Sequence, residues 1–257
     1  LLAGVVSSVL TLSRLAGADA PPAAAPATAT AGAPAPPAPY SLPWQLRPAM
    51  AVSVVRLDTT VAMYEKPGKE PGSAAEGTYT VASMLLASSK VTPEFAPFLR
   101  LGVVNTPDGT GVTNLATGAT LAVPLGGAVR VAMFLGLAIP IGSGGGDAPD
   151  AKVLGAVRSG ILNRSAMDNA MFAVNDLTVF PGIDIAYVAH GLTVQIEATF
   201  LALSRVQGEK AQKDASKTNF TTGLHAGYFF LPWLSAGAEL RYQRWFSTPA
   251  AVAADAT

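Results

Sequence analysis

Residues 191–208 read GLTVQIEATFLALSRVQG and alternate between two kinds of side chain. Apolar or small residues stand at every second position from Leu192 to Ala202. The first positions between them carry polar side chains, at Thr193, Gln195, Glu197 and Thr199. Because successive side chains of a β-strand point to opposite faces, this period of two predicts a strand with one apolar and one polar face. The stretch alone leaves open whether the apolar face packs on a core or contacts lipid around a lumen.

The composition of the chain favours lipid. Half of the 257 residues are hydrophobic and only 13% are charged, against roughly 25% in an ordinary soluble domain. After the N-terminus there is no run of about 18 apolar residues, so no ordinary membrane helix is encoded. A chain that is apolar on average but never in one block is typical of the alternating strands of a membrane barrel.

Charge and cysteine content exclude several classes of function. Basic and acidic residues number 17 each, so a net charge of zero gives no reason to expect nucleic acid as a partner. The absence of cysteine excludes disulfides, thiolate metal sites and a lipid-modified N-terminal cysteine. The two histidines are isolated and the carboxylates lack ligand spacing, so we expect no metal and no cofactor.

Two segments precede the strand-like part of the chain. Residues 1–20 resemble the apolar core of a secretory signal with a small-residue cleavage box, and we expect a partial signal peptide there; a short buried helix is the alternative. Residues 21–43 are almost wholly Pro, Ala, Thr and Gly, which predicts a disordered linker. Residues 44–257 are the predicted barrel domain, which we expect to be incomplete at its C-terminus.

Nine strand-like runs are visible, at 46–64, 78–90, 96–105, 111–123, 129–141, 177–189, 191–206, 218–230 and 233–246. Long and short connections alternate between them, and runs of about 10–14 residues are long enough to cross a bilayer while tilted. A soluble sandwich or lipocalin-like barrel also has many strands but does not require all long loops at one end. We therefore predict an all-β fold, an antiparallel up-and-down transmembrane β-barrel.

An odd number of crossings predicts that a strand is missing. An open sheet would leave unpaired backbone groups in lipid, each costing several kcal/mol. We therefore expect a truncated chain and about ten to twelve strands in the complete barrel.

Eight charged residues fall on the predicted lumen face: Arg56, Asp58, Arg100, Arg130, Asp184, Glu197, Glu239 and Arg241. Two interpretations remain open for them. They set solute selectivity in a wide lumen, or they pair with one another inside a narrow one. Because both signs are equally represented, strong ion selectivity is not expected.

The longest connection, 143–176, contains both a helical pattern and a glycine run. Val153, Leu154, Val157 and Ile161 have the spacing of a short helix, which either enters the barrel mouth or rests on its rim. The run Gly142-Ser143-Gly144-Gly145-Gly146 lacks the Lys and Ser/Thr of a phosphate-binding loop, so it predicts a hinge.

One arrangement permits a catalytic interpretation. His225 falls on the lumen face and would be placed to orient Ser235 on the next strand as a nucleophile. The sequence contains no signature of a base within reach or of an oxyanion hole. We therefore expect no catalytic residues, and an outer-membrane hydrolase is the least favoured hypothesis.

The alternating strands, the signal-like segment and the stretch FLGLAIPIG together resemble bacterial outer-membrane β-barrel proteins. Within that stretch, residues 137–142 are similar to the strand-ending Leu-x-x-Pro-Thr-Gly of porin-like transporters associated with aromatic-compound degradation, with Ile141 in place of Thr. The resemblance implies a Gram-negative outer membrane, contact with membrane lipid and lipopolysaccharide, insertion by the barrel-assembly machinery, and passive transport of small solutes. A porin-like channel is the leading hypothesis. The alternative is a structural or adhesive barrel with a filled lumen and partner-binding external loops.

Overall fold

The structure is a computed structural model that describes residues 40–66, 76–123, 125–163, 169–208, 215–231 and 233–247. Its strands are β1 (Val54–Lys66), β2 (Glu76–Ser88), β3 (Phe95–Thr106), β4 (Gly109–Val112), β5 (Leu115–Val123), β6 (Val129–Ile139), β7 (Asp176–Ala189), β8 (Leu192–Arg205), β9 (Ser216–Leu231) and β10 (Leu234–Trp245). Its helices are α1 (Ala151–Asn163) and α2 (Asn169–Phe172). The predicted antiparallel all-β architecture is confirmed.

The strands form one antiparallel sheet that curls into a half-barrel. Their order is β1-β2-β3-β5-β6-β7-β8-β9-β10, so each long strand lies beside its neighbours in sequence, and β4 pairs with β3 alone. Within the described residues, β1 and β10 are the two edges of the sheet. No helix of the described part is long and apolar enough to cross a membrane.

The predicted first strand, 46–64, is wrong at its start. The strand begins at Val54, and the chain before it lies against the concave face of the sheet. Proline has no backbone N–H and is disfavoured inside a sheet, and Pro48 lies within the predicted run. We call residues 40–53 the inner segment.

The predicted fourth strand is interrupted. Val103 pairs with Val112 and Arg100 with Ala116, so three steps along β3 face four steps along β4 and β5. One extra residue of this kind is a β-bulge. The side chain of buried Asn114 stabilises the interruption, since its Nδ2 donates to the Ala173 carbonyl at 2.8 Å and its Oδ1 accepts from the Gly142 amide at 3.0 Å.

The connections are short at one end of the sheet and mostly long at the other. We call these ends the short-turn end and the long-loop end. The short connection His190-Gly191 has two residues with φ of 50° and 80°, the positive values that a type I′ hairpin turn requires at both positions. The third connection differs from the sequence analysis: β3 and β4 pair as far as Thr106 and Gly109, so it is a two-residue turn at the long-loop end.

The two faces of the sheet differ in polarity. Side chains alternate between buried positions on the concave face and exposed positions on the convex face. The convex face is apolar, with Leu57, Leu135 and Leu240 exposed by 64%, 58% and 70%. Among the described strand residues on that face, only Glu65 and Arg244 are charged, and both lie near strand ends.

At the long-loop end the concave face is covered by α1 and α2. The helical spacing predicted in the longest connection is confirmed by α1, and Asp150 caps it by accepting the Lys152 and Val153 amides at 2.9 and 3.1 Å. The sequence left open whether this helix enters the barrel mouth or rests on its rim. In the structure it packs onto the concave face. Its Val157 is fully buried in the same apolar cluster as Phe172 of α2.

Candidate functional site

The inner segment binds the sheet through side chains of the wall. The Trp44 and Gln45 amides donate to the two carboxylate oxygens of Glu239 on β10, at 2.6 and 3.2 Å. The Ser41 amide donates to Thr193 Oγ1 on β8 at 3.0 Å. These contacts place the inner segment, which bends at residues 44–46 and 49–50, across the concave face at the short-turn end.

Arg47 joins the inner segment to β8 by three hydrogen bonds. Its amide donates to Glu197 Oε2 at 2.6 Å and its Nη1 to Glu197 Oε1 at 2.9 Å, while its carbonyl accepts from Gln195 Nε2 at 2.6 Å. The side chains of Arg47 and Glu197 are 8% and 0% exposed. A buried carboxylate needs a charged or hydrogen-bonding partner, and Arg47 supplies both kinds of contact.

Three phenylalanine rings surround the Arg47 guanidinium, and we call them the aromatic cage. The guanidinium carbon lies 4.3 Å from the centroid of Phe134, 4.9 Å from Phe180 and 6.0 Å from Phe98. All three distances are within the range at which a cation is attracted by the face of a ring. The guanidinium therefore has a carboxylate at one edge and aromatic rings around it.

Glycines on neighbouring strands make room for the aromatic cage. The register of the sheet places each ring opposite a glycine, in the pairs Phe98–Gly118, Phe134–Gly182 and Phe180–Gly136. A Cβ atom on Gly182 would lie 2.1 Å from the Phe134 ring, and one on Gly136 would lie 2.1 Å from the Phe180 ring. Each ring thus occupies the space that a side chain would fill on the next strand.

A second polar group lies beside Glu197. Gln195 Nε2 donates to Asp184 Oδ1 at 2.8 Å, and Gln195 Oε1 accepts a hydrogen bond from the Tyr40 hydroxyl. The same hydroxyl accepts the Ala49 amide at 2.9 Å. Burial raises the pKa of Tyr40 above its ordinary value, so the phenol stays protonated and donates.

The structure joins predicted lumen residues to one another in two ion pairs. Arg56 contacts Asp58 at 2.8 Å and Arg241 contacts Glu239 at 3.4 Å. Asp184 and Glu197 are fully buried and Arg100 is buried on β3. Glu197 contacts Arg47, Asp184 contacts Gln195, and Arg100 lines a small cavity with Arg47.

Arg130 is the exception. It is half-buried as the second residue of β6, where its guanidinium donates to the carbonyl of Gly127 in the preceding connection and to that of Val129, the first residue of the strand. Without it, the predicted set contains three arginines and four carboxylates on the concave face. Arg47, which lies in a predicted strand but is not among the predicted lumen residues, adds a positive charge beside Glu197. Arg205 and Lys217, which are not among them either, pair with buried Asp176 at 3.2 and 2.7 Å.

The His225–Ser235 arrangement does not occur. His225 lies directly opposite Glu239, with its Nδ1 3.2 Å from Glu239 Oε1. Ser235 lies opposite Phe229, four residues further along the strand, or about 13 Å at 3.3 Å per residue. Among the described residues, no group of three or more His, Asp or Glu side chains is arranged to hold a metal ion.

No protein-family model, no curated protein and no solved structure matches the chain.

Proposed function

We propose that the chain forms the wall of an outer-membrane β-barrel with a filled interior, and that its role is structural or partner-binding. The observation that carries the proposal is the polarity of the two faces of the sheet, which is the reverse of that in a soluble protein. Charged side chains are buried in pairs on the concave face, while large apolar side chains are exposed over the convex face. A water-soluble sheet has the opposite arrangement, whereas a barrel in lipid has this one.

The extent of the convex apolar surface supports lipid contact. Exposed apolar side chains lie on every long strand, among them Val55, Leu85, Val103, Leu121, Met133, Ile183, Ile196, Leu224 and Leu240. Soluble monomers rarely expose a continuous apolar patch larger than a few hundred Å². The predicted contact with membrane lipid therefore explains why so many apolar groups are uncovered.

The edges of the sheet support a narrow barrel. Each pair along the nine-strand path is antiparallel, so β1 and β10 run in the same direction, and one further strand of opposite direction would pair with both. The edges are already bridged by Trp44, whose carbonyl accepts from Arg56 of β1 and whose amide donates to Glu239 of β10. A barrel of about this size has an interior that side chains are able to fill.

A single-cysteine experiment tests the lipid contact, because the chain contains no cysteine. Ile196→Cys lies in the middle of the convex face, and Asp108→Cys lies in an exposed turn at the long-loop end. In vesicles we expect a fluorophore at position 196 to be quenched by doxyl-labelled lipid. We expect position 108 alone to react with a membrane-impermeant maleimide. Equal reaction of both positions with the aqueous reagent would exclude the membrane proposal.

A porin-like channel is the second candidate. Hydrogen bonds and ion pairs close the short-turn end, and water is able to replace such polar contacts, which would open the interior. A cavity beside Arg47, lined also by Met50 and Leu86, has a volume of about 10 Å³, which suffices for about one water molecule. We therefore expect the protein, as a filled barrel, to show no conductance in planar bilayers. Discrete conductance steps in the unmodified protein would favour the channel over the filled barrel.

A further inference from the structure

We propose that Glu197 and the aromatic cage form a binding site for a guanidinium group, and that Arg47 fills this site as an internal ligand. A small guanidinium-bearing solute is expected to bind there when Arg47 leaves. This goes beyond a filled barrel, since it assigns the interior a ligand class and gives the inner segment the role of a competitor.

The chemistry of the site selects guanidinium over ammonium. A guanidinium is planar, so that its faces stack on aromatic rings while its N–H groups donate in the plane to a carboxylate. In the structure Phe134 and Phe180 lie within 5 Å of the guanidinium carbon, and Glu197 Oε1 accepts from Nη1 at 2.9 Å. An ammonium is more strongly hydrated and has no flat face to stack.

The wall supplies the site without help from the inner segment. Glu197 lies on β8 and the three rings lie on β3, β6 and β7, where the glycines opposite them fix their positions. Glu197 also accepts the Thr199 hydroxyl at 3.1 Å. The site is therefore organised before a ligand binds, which reduces the ordering cost of binding.

The buried carboxylate of Glu197 also favours a cationic ligand. In the structure its cation is the Arg47 guanidinium, at 2.9 Å. When Arg47 is displaced, Glu197 loses the cation that pairs with it. A bound guanidinium restores that pairing.

Chymotrypsin cleavage after Trp44, identified by mass spectrometry, reports whether the inner segment is bound to the concave face or released from it. The full chain in detergent micelles is compared with Arg47→Ala, with ethylguanidinium or ethylammonium added at millimolar concentration. We expect Arg47→Ala to be cleaved about tenfold faster or more, because cleavage follows the population of the released segment. Arg158→Ala removes an exposed arginine from α1 and is the matched control, with cleavage as in the unmodified protein.

If the site exists, ethylguanidinium has opposite effects on the two proteins and ethylammonium has none. Ethylguanidinium should slow cleavage of Arg47→Ala by refilling the site, and should speed cleavage of the unmodified protein by competing with Arg47. Ethylammonium should do neither, and Glu197→Gln should abolish the response to ethylguanidinium. Equal effects of both additives, or an unchanged response in Glu197→Gln, would overturn the proposal. The arm with the unmodified protein stands even if Arg47→Ala does not fold, and a failure of the membrane proposal leaves the assay unaffected.

Discussion

The interior is closed by different means at its two ends. At the long-loop end, α1 and α2 pack apolar side chains such as Val157 and Phe172 against the sheet. At the short-turn end, the inner segment is held by carboxylates and amides, above all by Glu197. The stabilisation from apolar packing is non-directional and grows with the apolar area buried. A buried ion pair, in contrast, is stable only when both partners are present. The first closure is therefore part of the core, and the second is able to exchange its ligand.

The strongest test of the apolar closure is Phe172→Ala. Removing a buried phenylalanine is expected to cost about 3–5 kcal/mol in the free energy of unfolding, since it loses transfer energy and leaves a cavity. Urea unfolding in micelles, followed by tryptophan fluorescence, measures it. Phe230→Ala on the convex face, where the ring is 61% exposed, is the control. Cleavage of the inner segment should not change in Phe172→Ala; a large increase would show that the two closures are coupled.

Arg47→Ala is the corresponding test of the polar closure. We expect a loss of about 2–3 kcal/mol, less than the 3–5 kcal/mol typical of breaking a buried pair, because release of the inner segment exposes Glu197 to water. Adding Glu197→Ala should recover part of that loss, since it removes the uncompensated charge. The double-mutant cycle gives the coupling energy. Additive losses would mean that the two side chains do not stabilise each other.

Gly182→Ala tests the aromatic cage independently of the two closures. The new Cβ would displace the Phe134 ring, and overpacking of this kind costs about 1–3 kcal/mol. Gly155→Ala at an exposed position of α1, where no atom lies within 4 Å of the added Cβ, should instead be neutral or stabilise by up to about 1 kcal/mol. Urea unfolding of the two variants compares them directly. Equal effects would contradict the steric role of Gly182.

The positions of most strands are readable from the sequence, because alternation with a period of two is a local property. The same alternation assigns each residue to a face of the sheet, but it does not give the position of that residue between the two ends of the strand. Arg130 shows the difference: its face agrees with the neighbouring pattern, yet its place at the start of β6 lets it bind the Gly127 carbonyl of the preceding turn. Arg47 is not singled out by the sequence pattern, because the strand-like run from 46 continues through Pro48, although proline is disfavoured inside a sheet.

The aromatic cage is not readable from the sequence for a different reason. The sequence contains Phe98, Phe134 and Phe180 and several strand glycines, but their pairing depends on the register between strands. A shift of one residue would place every ring on the other face. Register is set by the whole sheet and by turn geometry, so the site becomes visible only once neighbouring strands are aligned.

The smallest effect is expected at the cap of α1. Asp150→Ala removes the acceptor of the Lys152 and Val153 amides, which costs about 1 kcal/mol at a helix N-cap. Hydrogen exchange should show faster exchange of these two amides, while buried Val157 keeps the helix packed and the inner segment stays protected. Asp147→Ala, before the cap, is the control and should leave both amides unchanged. Release of the whole helix in Asp150→Ala would mean that the cap, rather than apolar packing, holds the long-loop end closed.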